Sequence, residues 1–535
     1  MRAQLRRRLT PLVAVAVAGG VLLAGCGSSG DAGEAGDLSA VTTGIVGNQA
    51  DGGSPQDGGT LSFATYSSVA KLDPTFRQDG GATGGSEMAA IYDVLMRYDP
   101  ATTEFVPQLA KSMTANSDNT VWTLTLRDGV TFSDGTPVDA DAVVWSINNY
   151  LTKKGTHTQV WMASVQDMKA TDAATVEFTL QRPWDGFVAL FNTGPGMIVA
   201  PSSMASGEFA PIGAGPFTVE KHAPNDELVL AARADYHGGK PHIDKLRFPA
   251  IVSEQGKIDA LNSGGVQAIY LRNAEVVTKA LDAGNPGYVF QASLGGVLMI
   301  NSREGRAGAD ENVRRAIVAG IDPQTYNERA EAGAGLPTSD MFPDFSEWHG
   351  DVAGSGFAPE TAKKTLADAK AGGYDGKLKL VSMNDAATQQ GALAFQSMLQ
   401  AVGFTVDITY TNNITDLTKA MYADHDYDIA YSGFNVFDAA PFIRLYGNLY
   451  SQSPGNALGF QNPEMDELLL GLQTAKTADD KRAAADKMQT LANQTAPFVS
   501  INAGKYFIPW GANAHGITPS LDGIMLFDKA WVAQP

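Results

Sequence analysis

Between Tyr427 and Tyr450 the chain sets Tyr427, Tyr431, Phe434, Phe437, Phe442, Tyr446 and Tyr450 around Asn435 and Asp438, its densest run of aromatic and polar side chains. Aromatic faces beside an amide and a carboxylate suit the grip of a small molecule with apolar parts and a cationic group; they carry no nucleophile–base pair. The run follows a predicted strand, at the end where open α/β sheets place ligands. Phe434, Asn435 and Asp438 come just after that strand, where side chains are surplus to packing, and are expected in a cleft with Tyr431 and Phe437. Phe442 and Tyr446 stay open between core and cleft. Asp438 is the only acid between Asp428 and Glu464. It is the candidate partner for a ligand cation, with Phe434 and Tyr431 against the ligand's apolar parts.

Catalytic patterns are missing elsewhere. None of the seven histidines begins His-Glu-x-x-His, and neither a Gly-x-Ser-x-Gly elbow nor a phosphate-binding Gly-x-x-x-x-Gly-Lys-Ser/Thr loop occurs. His237 and His242 flank Gly238, Gly239 and Pro241, which make a turn rather than a helical ligand pair, and are expected on a solvated loop. Gly213-Ala214-Gly215-Pro216 lacks the third glycine of a dinucleotide fingerprint and reads as a tight crossing between lobes. Carboxylates abound, yet nothing singles out a hydrolytic pair. The expectation is a binding protein and not an enzyme, with no cofactor and no metal.

The elements that must position these residues follow from pattern. Ser86 is a plausible N-cap for a helix presenting Met88, Ile91, Tyr92, Leu95 and Met96 on one face. Trp122, Leu124 and Leu126 alternate in a strand, a short strand Val130-Thr131-Phe132 follows, and Asp139 and Asp141 open another helix. Farther on, helices near 360–371, 386–402 and 414–422 alternate with strands near 377–381, 404–410 and 427–431, the rhythm of a mostly parallel sheet. Pro463 and Ala478 open two more helices, with Leu468, Leu469 and Leu472 inward. The first part reads as α+β and the second as α/β.

With 535 residues, 44% apolar and 18% charged, the chain can fill three or four cores. A net charge of −19 argues against binding nucleic acid. The sole cysteine, Cys26, rules out an intramolecular disulfide. Arg2, Arg6, Arg7 and Arg8 precede an uncharged run from Leu12 to Ala24, too short to span a hydrocarbon core comfortably. The run ends in Leu23-Ala24-Gly25-Cys26, which resembles a bacterial lipobox. Residues 1–25 are therefore expected to be a lipoprotein signal peptide, Cys26 the lipidated N-terminus, and 26–59 a flexible tether.

Taken in order, the motifs resemble the peptide/nickel-type solute-binding proteins of ABC importers, extracellular solute-binding protein family 5. Gly58-Gly59-Thr60-Leu61, Leu72-Asp73-Pro74, Tyr92-Asp93-Val94-Leu95 and Pro107-Gln108-Leu109-Ala110 open the resemblance. Its most specific part runs from Trp122 to Pro137. Gly215-Pro216-Phe217-Thr218-Val219, Asp235-Tyr236-His237-Gly238-Gly239, Val313-Arg314-Arg315-Ala316-Ile317 and Phe460-Gln461-Asn462-Pro463-Glu464 continue it. The resemblance implies a two-lobe periplasmic-binding-protein-like fold (α/β, type II, cluster C) with an extra α+β domain inserted in lobe I. Lobe I would comprise 60–97, 212–310 and 498–535, the inserted domain 98–211, and lobe II 311–497. It further implies a monomer that captures a small-molecule or peptide ligand between its lobes. An ABC permease and its ATPase subunits would be its partners at the outer face of the cell membrane. In peptide-binding relatives a Gly-Trp-x-x-Asp segment supplies the aspartate for the peptide ammonium. Here Gly433-Phe434-Asn435-Val436-Phe437 stands in that place, with Asp438 one residue late. A di- or oligopeptide is the first expectation for the ligand; an oligosaccharide, opine-like compound, metal chelate or haem, or a non-transport envelope lipoprotein, are the alternatives.

Overall fold

Residues 41–49, 51–76, 80–412 and 414–533 are described by the computed structural model; Cys26 and the signal segment lie outside them. A five-stranded sheet has the order Ala268–Ile269, Thr60–Ala64, Lys245–Pro249, Glu227–Ala232, Phe217–Ala223. Thr60–Ala64 is parallel to both neighbours, and the last three strands form an antiparallel meander. Leu61, Phe63 and Leu246 are fully buried in it.

A separate four-stranded antiparallel sheet, Ala110–Ala115, Val121–Leu126, Thr175–Leu180, Val165–Asp172, carries the alternation expected of Trp122, Leu124 and Leu126. Helix Ala140–Thr152 begins as expected, with the Asp139 side chain accepting from the Ala142 N–H at 2.8 Å. Trp161, Phe178, Phe187 and Phe191 form its aromatic core at centroid distances of 5.2–6.0 Å. Val130-Thr131-Phe132 does not extend into a strand: only a Thr131–Pro137 bridge forms. Asp134 binds Thr136 through N–H (3.0 Å) and Oγ1 (2.6 Å), and this closes the turn early.

The largest sheet has seven strands, in the order Leu336–Pro337, Phe498–Pro509, Gly287–Ile300, Ile429–Ser432, Lys377–Met383, Thr405–Thr411, with Gly44–Val46 added to Gly287–Ile300. The alternating helices and strands of 359–432 stand as the sequence rhythm predicts, and their three strands are parallel. The sheet as a whole is mixed, because Gly287–Ile300 pairs antiparallel with Ile429–Ser432 on one side and with Phe498–Pro509 on the other. Local periodicity reports crossovers and cannot announce strands delivered from elsewhere in the chain.

Those two long strands connect the halves of the molecule. One end of Gly287–Ile300 pairs with Ile429–Ser432, while Phe507 and Trp510, at the other end of the pair, bridge to Leu271 and Ala268 beside the five-stranded sheet. Their register breaks between Ala292 and Val297. A Cβ at Gly295 would stand 2.0 Å from the Gly504 amide nitrogen, so only glycine lets the strands cross there.

The first helix departs from expectation at both ends. It spans Gly85–Tyr92 with Gly84 as its cap, while Ser86 instead accepts from the Met525 N–H at 2.9 Å. Asp93 takes φ +59° and stops it, so Leu95 and Met96 are buried beyond the helix, Met96 in strand Met96–Asp99. Tertiary bonds to Asp93 override the helical pattern. Its Oδ2 accepts from Tyr236 Oη (2.8 Å) and His237 Nε2 (3.0 Å), and its Oδ1 from the Val94 N–H (2.9 Å). His237 is therefore largely buried and bonded, not solvated, while His242 meets Asp57 at the surface.

Candidate functional site

A cavity of about 80 Å³ lies where the two long strands cross between the sheets. Arg272, just after strand Ala268–Ile269, lines it together with Tyr506, Glu331, Gly335, Tyr431 and Asn502. Arg272 sits with its guanidinium carbon 4.9 Å from the Tyr66 ring centre and 5.2 Å from that of Tyr506. Its main-chain N–H is fixed by Glu254 Oε1 at 3.0 Å. Glu331 follows helix Pro323–Ala330, and its Oε1 accepts from Asn502 Nδ2 at 2.6 Å. Its Oε2 is buried without a hydrogen-bond partner among the described residues. Burial pushes the Glu331 carboxyl up to about 7, with the Asn502 bond opposing. A Cβ at Gly335 would lie 1.7 Å from that Oε2, so this glycine is what leaves the carboxylate its room.

Of the five candidates read from sequence, Tyr431 lines the cavity. Asn435, at φ +52°, accepts a hydrogen bond from Tyr506 and so holds one cavity wall. Phe434 and Phe437 are 2% and 7% exposed and pack into cores, Phe434 edge-on to Phe498 at 5.3 Å and Phe437 against Phe290 at 6.3 Å. Phe434 thus backs the site instead of facing it, because the backbone turns inward there: the Phe434 and Asn435 N–H groups donate to the Leu294 carbonyl and Val436 bridges Ser293 on the long strand. Asp438 Oδ1 accepts from Ser346 Oγ at 2.7 Å and Oδ2 from the Glu347 N–H at 2.8 Å, while its carbonyl accepts from Trp348 Nε1 at 3.0 Å. Burial, only partly offset by those bonds, pushes its carboxyl up to about 6. Phe442 is buried against Trp184 at 5.1 Å, joining the helix Pro441–Leu449 to the segment around the four-stranded sheet.

Arg272, Glu331, Asn502, Lys505 and Tyr506 carried no motif in the sequence. They come from three distant segments, and only the crossing of the long strands gathers them. The halves also meet through Arg444 Nη2 and Asp522 Oδ2 at 2.7 Å. No helix among the described residues is long and apolar enough to cross a membrane.

Comparison with known proteins agrees with this architecture. The model for the middle region of bacterial extracellular solute-binding proteins, family 5, matches residues 104–456. The nickel-binding periplasmic protein of Escherichia coli (strain K12) is 28% identical over 52% of this chain and 55% of its own. The periplasmic murein peptide-binding protein MppA of the same organism is 25% identical over 76% of this chain and 82% of its own. Helicobacter pylori DppA, solved with the peptide STSA, superposes with a TM-score of 0.77 at 22% identity, covering 90% of this chain and 99% of that one. AgaA from A. tumefaciens R10, solved with agropinic acid, gives 0.75 at 22% identity, covering 89% and 99%. The shared fold is the two-lobe periplasmic-binding type.

Proposed function

Because this chain belongs to family 5 of the bacterial extracellular solute-binding proteins, we propose that it is the lipid-anchored capture component of an ABC importer for a di- or oligopeptide. The carrying observation is the cavity at the strand crossing, lined by Arg272, which follows a strand of the five-stranded sheet, and by Glu331, Tyr431, Asn502 and Lys505 from in and around the seven-stranded one. A ligand there touches both halves, so its contacts exist only when the halves are closed, and binding shifts the population toward closure. The closed form is what the permease and its ATPase subunits would receive, from a monomer.

The division into lobe I (60–97, 212–310, 498–535), inserted domain (98–211) and lobe II (311–497) belongs to this proposal. It is supported by the separate five- and four-stranded sheets. Within the site we assign Tyr431 and Asn435 to the ligand side, with Phe434, Phe437 and Asp438 as the packed and bonded layer behind them.

Solute capture predicts stabilisation by RT ln(1 + [L]/Kd), about 2.7 kcal/mol at a hundredfold excess of ligand over Kd. The right peptide should raise the melting temperature and shrink the radius of gyration measured by X-ray scattering. If a screen of peptides, sugars and metal chelates changes neither, the protein is an envelope scaffold instead.

Attachment is a separate expectation, resting on the Leu23-Ala24-Gly25-Cys26 run. Lasting anchorage needs more than one acyl chain, which lipidation of Cys26 would supply. Cys26→Ser should move the protein from the membrane fraction to the soluble one. Equal membrane retention of the two forms would remove the anchor from the proposal.

A further inference from the structure

The cavity wall carries opposite charges that do not meet. Arg272 has tyrosines for neighbours (Tyr506, Tyr66, Tyr270 and Tyr431), and no carboxylate pairs with it among the described residues. Glu331 keeps a buried oxygen with no hydrogen-bond partner among the described residues. Tyr431 lines the cavity with both; burial and then Glu331 raise its hydroxyl pKa, and bonds to Tyr326 and Asn502, then Arg272, oppose the rise. Lys505, buried, adds a second cationic residue to the wall beside the half-buried Arg272.

A buried carboxylate oxygen left without a partner is costly, and so is a desolvated guanidinium; closure on a neutral ligand would leave both unanswered. A sugar offers hydroxyls but no charge for either. A bare metal cation would find one carboxylate and face two cationic side chains. The cavity of about 80 Å³ is about half of the ~150 Å³ that takes a benzene molecule, which points to a small ligand and not to a long peptide.

Resting on the reading of this cavity as the ligand site, we propose that Arg272 and Glu331 select the ligand by its two ends. A free carboxylate goes to Arg272 and a free ammonium to Glu331 Oε2, so the ligand is a small amino carboxylate of amino-acid to dipeptide size. Specificity then comes from unpaired charge: a ligand capped at either end leaves one wall group buried alone, and is rejected.

The test uses the purified protein, stripped of ligand by partial unfolding and refolding. Pools of L-amino acids and L-dipeptides with free ends, the same pools N-acetylated, and the same pools C-amidated are offered in parallel with sugar and metal-chelate pools. Bound compounds are identified by native mass spectrometry, and their affinity is measured by calorimetry. Capture is expected from the free-ended pools, with acetylation or amidation each weakening the compound by about 30-fold or more, the lower end for an unpaired buried charge.

Arg272→Gln should collapse the acid-over-amide preference, and Glu331→Gln the amine-over-acetyl preference, each leaving the other preference in place. Arg272 is half-buried, so its variant keeps the test open even if Glu331→Gln folds poorly. Capture indifferent to both caps, or full acid preference in Arg272→Gln, would overturn the assignment. A sugar or metal chelate bound with closure would overturn it while leaving solute capture standing. No capture from any pool, and no compaction, would overturn both.

Discussion

Asp93→Ala is expected to lower the unfolding free energy by about 4 kcal/mol, with the urea midpoint falling accordingly. Asp93 is 1% exposed, and its carboxylate accepts from Tyr236 Oη, His237 Nε2 and the Val94 N–H. Removing it strands three buried donors, each losing its partner without gaining water. Asp93 also holds φ +59° with ψ −179° where it ends the first helix, a strained region in which glycine alone is at ease, so the carboxylate's bonds are what hold the backbone there. Asp93→Asn keeps an acceptor for the Val94 N–H, so about half the loss is expected. Urea unfolding followed by tryptophan fluorescence separates the three proteins. Equal stability of wild type and Asp93→Ala would mean that the Tyr236–His237 contact contributes nothing to the fold.

The second large effect is a gain at alkaline pH. Glu87 is 1% exposed in helix Gly85–Tyr92, with Thr65 Oγ1 donating to its Oε1 at 3.0 Å and its Oε2 lacking a hydrogen-bond partner among the described residues. Burial outweighs those bonds and pushes its carboxyl from 4.5 up to about 7. The folded state thus holds the proton more tightly than the unfolded chain. Stability from this group is complete below about pH 4.5, is lost as pH rises to about 7, and is level above. Glutamine cannot ionise. Glu87→Gln should match wild type near pH 4 and exceed it at pH 8, by about 3 kcal/mol if the full shift is realised. The Glu331 carboxyl, also raised to about 7, has the same sign, so some pH slope persists in the variant. Urea midpoints across pH 4 to 8 measure the difference. A constant offset between the two proteins would show that Glu87 is not the group being titrated.

Much of the frame was legible along the chain because its causes are local. The Asp139 cap, the Trp122–Leu126 alternation and the helix–strand rhythm of 359–432 depend on residues a few positions apart, and each forms where its pattern lies. The segments that carried the family resemblance turn out to be architecture. Tyr92-Asp93-Val94-Leu95 and Asp235-Tyr236-His237 meet through the Asp93 carboxylate. Gly213 and Gly215 lie against the Ile91 carbonyl, where a Cβ would come within 2.3 and 2.5 Å. Arg233, 5% exposed, ties the same region by donating to the Gly213, Gly215, Thr131 and Phe132 carbonyls.

The site itself was legible only in part. An aromatic run after a strand looks the same in sequence whether its rings face a cleft or a core. Tyr431 reached the cavity; Phe434 and Phe437 did not, because the bridge from Ser293 to Val436 turns them inward. The charges at the cavity lie far apart in the chain, at Arg272, Glu331 and Lys505, and no spacing rule links them. They converge because Gly295 lets two long strands cross at close quarters, and because Gly335 leaves space for one carboxylate. Local pattern thus determined the α+β and α/β elements, and the motifs taken in order, by resemblance, pointed to the family and its two-lobe fold. Which charged side chains share the cavity was decided by tertiary contact alone, since desolvation and the meeting of opposite charges act through space, not along the chain.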